Sequence, residues 1–516
     1  MSLKVGLTAG VLPALILAGC ARAAEPSPSQ PAESAVSTVR PRATQTVIAR
    51  VDFDAMLPES FAISPDGRQV AYSALYRDGH RVFLGLEVAG PYDQLQDAPP
   101  VFSPDGRRLA YVAEIGGERY VVLDGSRIGP YQDIGVPVFS PDSTQRAIVV
   151  RVGDGQAVVV GAETMPGYDQ VDDLRWSPNG RVAYLARDGG EWFAVVDGET
   201  GPPFDDVYFP PGLFSRDGRR LAYVGVRAES WYVVVDGEEL GPYAGIGQGG
   251  PVFSPDGSRL AYPSQFGEWW RVVVDGQAGR LFDDAGAPAF SADGAHWMHP
   301  AAWGGRSYLV FDGESRGPYA AVASFPGVAF SPEGDRHAYF AQVGRTWHAF
   351  ADGAHGPGFT AVAPLSLTFS PNGTSLAYAA QRDDGWVVVT EVGELGPYPE
   401  VVDGSLAFSR DGGRLAFIVR ETDGYHVVLD GEIGEAYQNI PTGHLVFSPD
   451  GTRLAYAASH GESRFVVLDG EEGPGFEALV LGEDPTIVFD APDRLHYLGV
   501  RGGNVYLVEV TLSPAP

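Results

Sequence analysis

The sequence predicts an all-β chain of β-propeller blades, and three observations carry that prediction. The phrase FSPDGRRLAYV at 102–112 returns as FSPDGTRLAY at 447–456. Its serine, or the equivalent, falls at Ser64, Ser103, Ser140, Ser177, Ser215, Ser254, Ser291, Ser331, Ser370, Ser409 and Ser448. The spacing is about 38 residues, a period that holds four short strands per unit. A degenerate twelfth copy, FDAPDRLHYLGV, begins at Phe489. Second, 67 Gly and 41 Pro punctuate the chain too often for long helices. Third, a hydrophobic content of 44% with 11% aromatics belongs to a folded protein.

Each unit has one grammar. A short apolar strand such as PVF leads into SPDG, then come a strand like RLAYV, a loop, a strand like YVVLDG and a segment like IGPYQDI. In SPDG, Pro104 pre-sets φ, Ser103 and Asp105 bond the local backbone, and Gly106 supplies the positive φ that ends a tight turn. Asp124-Gly125 suits a type I′ turn between the third and fourth strands. The repeated phrase is therefore punctuation between strands, and no catalytic group is read into it.

On FSPDGRRLAYV (102–112), FSPDGSRLAY (253–262) and FSPDGTRLAY (447–456), the units resemble the WD-like repeats of the TolB-type β-propeller family. The resemblance runs from about residue 45 to 512 and implies the propeller fold.

Twelve units exceed the four to eight blades usual in one ring, so two six-bladed propellers in tandem are expected. The ends suggest how the rings close. The run 47–51 precedes the first SPDG where every other unit has a fourth strand, and the last unit stops after 505–508 without one. The sixth unit replaces GPY by residues 277–282, and the seventh replaces RLAY by His296-Trp297-Met298-His299. These breaks suggest that residues 277–285 cross into a second ring and that residues 46–53 complete the sixth blade of the first. The expected division is 1–19 signal peptide, 20–44 lipid-attachment cysteine and tether, 45–285 first propeller and 286–516 second. A single ring of twelve, with the N-terminal strand completing the last blade, is the rival arrangement.

The one cysteine, Cys20, closes the stretch Leu17-Ala18-Gly19-Cys20 after Lys4 and an apolar run over 5–18 only long enough for a signal-peptide core. This resembles the lipobox of bacterial lipoproteins, which implies a diacylglycerol on the Cys20 thiol and an extracytoplasmic protein anchored to a membrane by lipid. Ala21 at the next position implies the outer membrane, on its periplasmic side, in a Gram-negative envelope. Residues 21–44 are rich in Pro, Ser and Ala and read as a tether that cannot pack. The side chains give 36 basic against 66 acidic groups and a net charge of −30. That balance repels phosphate backbones and argues against nucleic-acid binding.

Several motifs tempt a catalytic reading. Gly313-Glu314-Ser315-Arg316-Gly317 matches the hydrolase GxSxG elbow, but it starts at the Asp312-Gly313 turn and leads toward a strand rather than a helix. Residues 245–250 match GxGxxG, yet they run into Pro251-Val252-Phe253 where the fingerprint needs a helix N-terminus. His296 and His299 stand three apart on a strand and so point to opposite faces, which denies them a shared metal. The acidic pairs Asp172-Asp173, Asp205-Asp206 and Asp283-Asp284 lack calcium-loop spacing and read as charges beside the outermost strands. No metal or other cofactor is expected.

Two sets remain as candidate binding groups. Trp192, Trp231, Trp270, Trp347, Trp386 and Tyr425 each stand five residues before the Asp, or Glu391, of the third-strand turn. They form either a binding rim for sugars or peptide side chains or wedges between blades. At the entries to the inner strands, Asp172, Asp173, Arg175, Asp403 and His444 are polar exceptions in a channel mouth otherwise rich in Gly, Pro and Val. A mouth with few polar groups suits binding better than acid–base chemistry. The expected function is a lipid-anchored envelope scaffold that binds a protein or glycan ligand. The alternative is a lyase or hydrolase working in a propeller channel on envelope or extracellular polymers.

Overall fold

The computed structural model describes residues 41–323, 327–480 and 487–512. These form twelve antiparallel sheets in chain order, one for each repeat. In the second sheet, Val101–Phe102, Leu109–Ile115, Glu118–Leu123 and Ser126–Tyr131 follow one another, with Gln94–Leu95 also paired to the second of them. The SPDG turn is built as its residues dictate. Ser103 is fully buried, its Oγ donating to Asp105 Oδ1 at 2.6 Å and accepting from the Arg108 N–H at 3.0 Å. Gly106 takes the left-handed conformation, φ 69°, and its N–H closes the turn on the Ser103 carbonyl at 2.8 Å.

The Asp-Gly turn does more than reverse the chain. Asp124 sits at φ 49°, and its carboxylate accepts from the Leu109 N–H at 2.9 Å and from Arg108 Nε at 3.0 Å. The same Asp–Arg pair recurs in other blades, and the arginine reaches beyond its own sheet. In the eighth, Arg336 bonds Asp352, donates to the Thr374 carbonyl at 2.8 Å and lies over the Phe369 ring of the next blade at 5.2 Å. The Arg of RLAY is thus a bolt between neighbours. Its partner motif GPY is another: Tyr92, Tyr243 and Tyr319 place their hydroxyls 2.7–2.9 Å from those of Tyr111, Tyr262 and Tyr339 in the following sheets.

Every sheet shares a buried apolar cluster with the next. Ala338 and Phe340 of the eighth meet Leu376 and Tyr378 of the ninth, and Ala261 and Val274 of the sixth meet Ala285 of the seventh. The sixth-to-seventh seam is one that two rings of six would have to break, and it is sealed in the same way as the third to fourth and the ninth to tenth. The series closes because Leu498, Val500 and Val505 of the twelfth sheet pack with Phe61, Val70 and Tyr72 of the first.

This arrangement overturns the strand exchange expected for two rings. The strand Pro41–Arg50 pairs antiparallel with Asn504–Leu512, from Pro41↔Leu512 to Arg50↔Asn504, and so completes the twelfth sheet rather than the sixth. Gln277–Ala278 stays in the sixth sheet, with Val273↔Ala278, and Phe282 bridges back to Trp270. The seventh begins only at Asp284–Ala285, so the boundary expected after residue 285 falls inside one sheet. Polar groups fasten the closing seam as well. Arg68 of the first blade bonds Asp490 and Glu509 of the twelfth, each at 2.9 Å. His496, where every other repeat but the seventh, with Met298, carries a buried alanine, spans Asp490 Oδ2 at 3.0 Å and the Asp66 carbonyl at 2.9 Å.

Candidate binding face

The SPDG and Asp-Gly turns line one face of the blades; the blade-to-blade connections and the turns between second and third strands line the other. On this second face a side chain entering each of several blades caps the turn beside it. Asp169 accepts the Gly189 N–H at 3.1 Å, Asp205 that of Ala228 at 2.7 Å, Asp283 that of Gly304 at 2.6 Å and Gln438 Oε1 that of Gly461 at 2.8 Å. The first members of the pairs Asp205-Asp206 and Asp283-Asp284 are therefore turn caps, a role that edge protection did not anticipate. These bonds hold the face stiff.

Each of the six repeated aromatics is the second residue of a third strand and is half-buried. Each pairs across to an aromatic of the outermost segment: Trp192↔Phe204, Trp231↔Tyr243, Trp270↔Phe282, Trp347↔Phe359, Trp386↔Tyr398 and Tyr425↔Tyr437. Five of them also pack against the clusters between blades, while Trp231 stacks on Tyr208 at 5.9 Å. Each of these five rings is thus a wedge at a seam, with part of it inward and part facing water.

The channel-mouth residues do not form one group. Arg175 grips Asp173 with both arms, at 2.6 and 2.7 Å, and donates to the Pro210 carbonyl at 2.8 Å. Asp172 Oδ1 accepts the Asp173 N–H at 2.9 Å. In the tenth and eleventh blades, Asp403 Oδ1 and His444 Nδ1 are buried without a hydrogen-bond partner. Burial accordingly pushes the Asp403 carboxyl up and the His444 imidazole down. A cavity of about 470 Å³ opens beside His444, lined by Gly443, Leu445 and Ile487 among others.

The rejected motifs fall where their turn chemistry placed them. Ser315 is exposed on the strand Glu314–Tyr319, paired with Val310. Gly245 and Gly247 lie under the Trp270 ring and against Gln265 and Pro263, and a Cβ at Gly247 would meet Pro263 Cγ at 2.6 Å. That close approach accounts for the first two glycines of the GxGxxG match, and the left-handed φ of 63° for the third, Gly250. His296 bonds Asp312 at 2.6 Å, in the place of the bolt arginine, while His299 is buried on the other face and held down at about 4 by desolvation. Among the described residues no group of three or more His, Cys, Asp or Glu could hold a metal ion. Cys20 lies outside the described residues.

One feature of this face was not anticipated. Trp269 and Trp303, 40% and 37% exposed, stack at 5.3 Å across the sixth and seventh blades beside Phe266, which is 59% exposed. The signal was present in the doubled Trp269-Trp270 and in Trp303 flanking the Gly304-Gly305 turn.

Sheets of one pattern, each packed on the next and closed by the N-terminal strand, define a β-propeller of twelve blades. No protein-family model matches the chain, and no curated protein matches it. Among solved structures, it is similar to a eukaryotic initiation factor at 11% identity and a TM-score of 0.34, covering 66% of this chain and 98% of that one. The β-propeller domain of the Trilobed protease from Pyrococcus furiosus gives 15% identity and a TM-score of 0.24, with 51% and 94% covered. A protein described as a TolB from Agrobacterium tumefaciens gives 18% and 0.21, with 39% and 83% covered. At these scores the fold rests on the sheets and their seams.

Proposed function

We propose that this chain is a binding scaffold of the bacterial cell envelope, built of TolB-type repeats and held to the membrane by a lipid on Cys20. The observation that carries the binding role is the second face, where turn after turn is fixed by a side-chain cap and half-exposed aromatics stand at one repeated position. A rigid surface loses little freedom when it captures a ligand. A propeller supplies such a surface while its loops vary. The exposed edges of Trp192, Trp231, Trp270, Trp347, Trp386 and Tyr425 are the rim, and a protein or glycan of the envelope is the ligand.

The anchor rests on the lipobox-like stretch 17–20 with the only thiol of the chain. Fatty-acid labelling of cells is expected to mark the wild-type protein and to leave Cys20→Ala unmarked and released from the membrane fraction. An unlabelled wild type, or equal labelling of the variant, contradicts the anchor.

A further inference from the structure

The aromatic ledge of the sixth and seventh blades carries a more specific binding site. Five large aromatic side chains are markedly exposed among the described residues, and three of them, Phe266, Trp269 and Trp303, lie together here. Exposed apolar surface of that kind on a stable fold marks a contact site. The turns that present the rings are held, Trp303 by the Asp283 cap on Gly304. Cations surround them. Arg280 lies over the Trp303 ring at 5.4 Å, Arg271 over Phe266 at 5.2 Å, and Arg306 is the cross-strand partner of Trp303. None of the three forms an ion pair among the described residues, and Arg271 Nε is buried without a partner.

We infer that this ledge binds an acidic polysaccharide, a chain of sugar rings bearing carboxylates. The apolar C–H face of a pyranose lies flat on an indole, whose N–H remains free to meet hydroxyls. A guanidinium meets a carboxylate with paired N–H donors. Repetition favours a polymer with a repeat of its own. The fifth blade presents the next aromatic pair, Tyr208 stacked on Trp231 with Tyr208 47% exposed, on the same face. Charge then sets the register. A chain with net charge −30 repels a polyanion over most of its surface and admits it where Arg271, Arg280 and Arg306 gather, although Glu268 and Asp284 stand nearby. The site is centred on Phe266, Trp269 and Trp303, shares only Trp231 with the six-residue rim, and does not depend on the lipid.

Binding of the full-length mature protein to immobilised polygalacturonate tests this, with dextran and poly-L-glutamate in parallel. Polygalacturonate is expected to bind at least tenfold more tightly than either control. Trp303→Ala and Arg280→Gln are each expected to weaken it at least tenfold, with Trp303→Phe weakened less and all thermal midpoints unchanged. Absence of polygalacturonate binding overturns the inference. So does equal binding of dextran, equal binding of poly-L-glutamate, which marks an acidic peptide site, or indifference to the variants. Failure here with fatty-acid labelling intact leaves the anchored scaffold standing.

Discussion

At the scale of single residues, one side chain often serves two blades. Arg336 satisfies Asp352 and Glu391, caps the Thr374 carbonyl and covers Phe369. Arg336→Met keeps the stem but removes every polar contact, and its cost in denaturant unfolding is expected at about 1–3 kcal/mol, above that of an isolated surface ion pair. A loss within a few tenths of a kcal/mol would show that the bolt is idle. His299 gives a pH signature. Burial holds it at about 4, so the unfolded chain takes up a proton at a higher pH than the folded one. Its contribution is therefore whole above the usual histidine pKa and is lost as pH falls from about 6.5 toward 4, at most about 3 kcal/mol. His299→Leu is expected to flatten that part of the stability–pH curve, and an unchanged slope would contradict the assignment. The turn roles of Ser103, Asp105 and Asp124 were legible in the sequence because they act on adjacent backbone. The second partners of the arginines were not, since they come from the next repeat.

At the scale of elements, the outermost strand comes in two forms. The GPY form runs six residues, as in Ser126–Tyr131, whereas elsewhere two residues are followed by an isolated aromatic bridge. Phe204, Phe282, Phe359, Tyr437 and Phe476 are the aromatics of the short form, each at most 2% exposed. The segment 277–282, which suggested a crossover between rings, is one member of this group of five. A departure from a motif looked like a topological event because spacing alone does not show that a phenylalanine fills the tyrosine's place. The fit is tight: a Cβ on Gly225 would meet the Phe204 ring at 2.7 Å, so the glycine makes room for it. Phe282→Ala is expected to cost about 3–5 kcal/mol in unfolding free energy by leaving a cavity against Ala301 and Val310. A cost below 1 kcal/mol would mean that the short form does not seal the seam.

At the scale of the whole molecule, the count of blades was legible and their grouping was not. Twelve repeats are a matter of counting, but whether they close as one ring or two depends on the angle at each seam. That angle is set by Ala, Val and Tyr packing across blades, which a nearly identical repeat expresses identically in either case. Pairing of Pro41–Arg50 with Asn504–Leu512 places the closing strand in the twelfth blade, and packing of the sixth blade on the seventh and of the twelfth on the first makes the ring single. Arg42 and Thr511 are register partners and both are exposed, so cysteines placed there face each other outside the buried core. The most direct measurement is the intramolecular disulfide yield of Arg42→Cys with Thr511→Cys in a Cys20→Ala background, scored by mass and non-reducing mobility. The single ring predicts near-complete bond formation within the monomer, with a raised thermal midpoint. A pair that stays reduced in the folded monomer, while cysteines at 42 and 277 join instead, would contradict it.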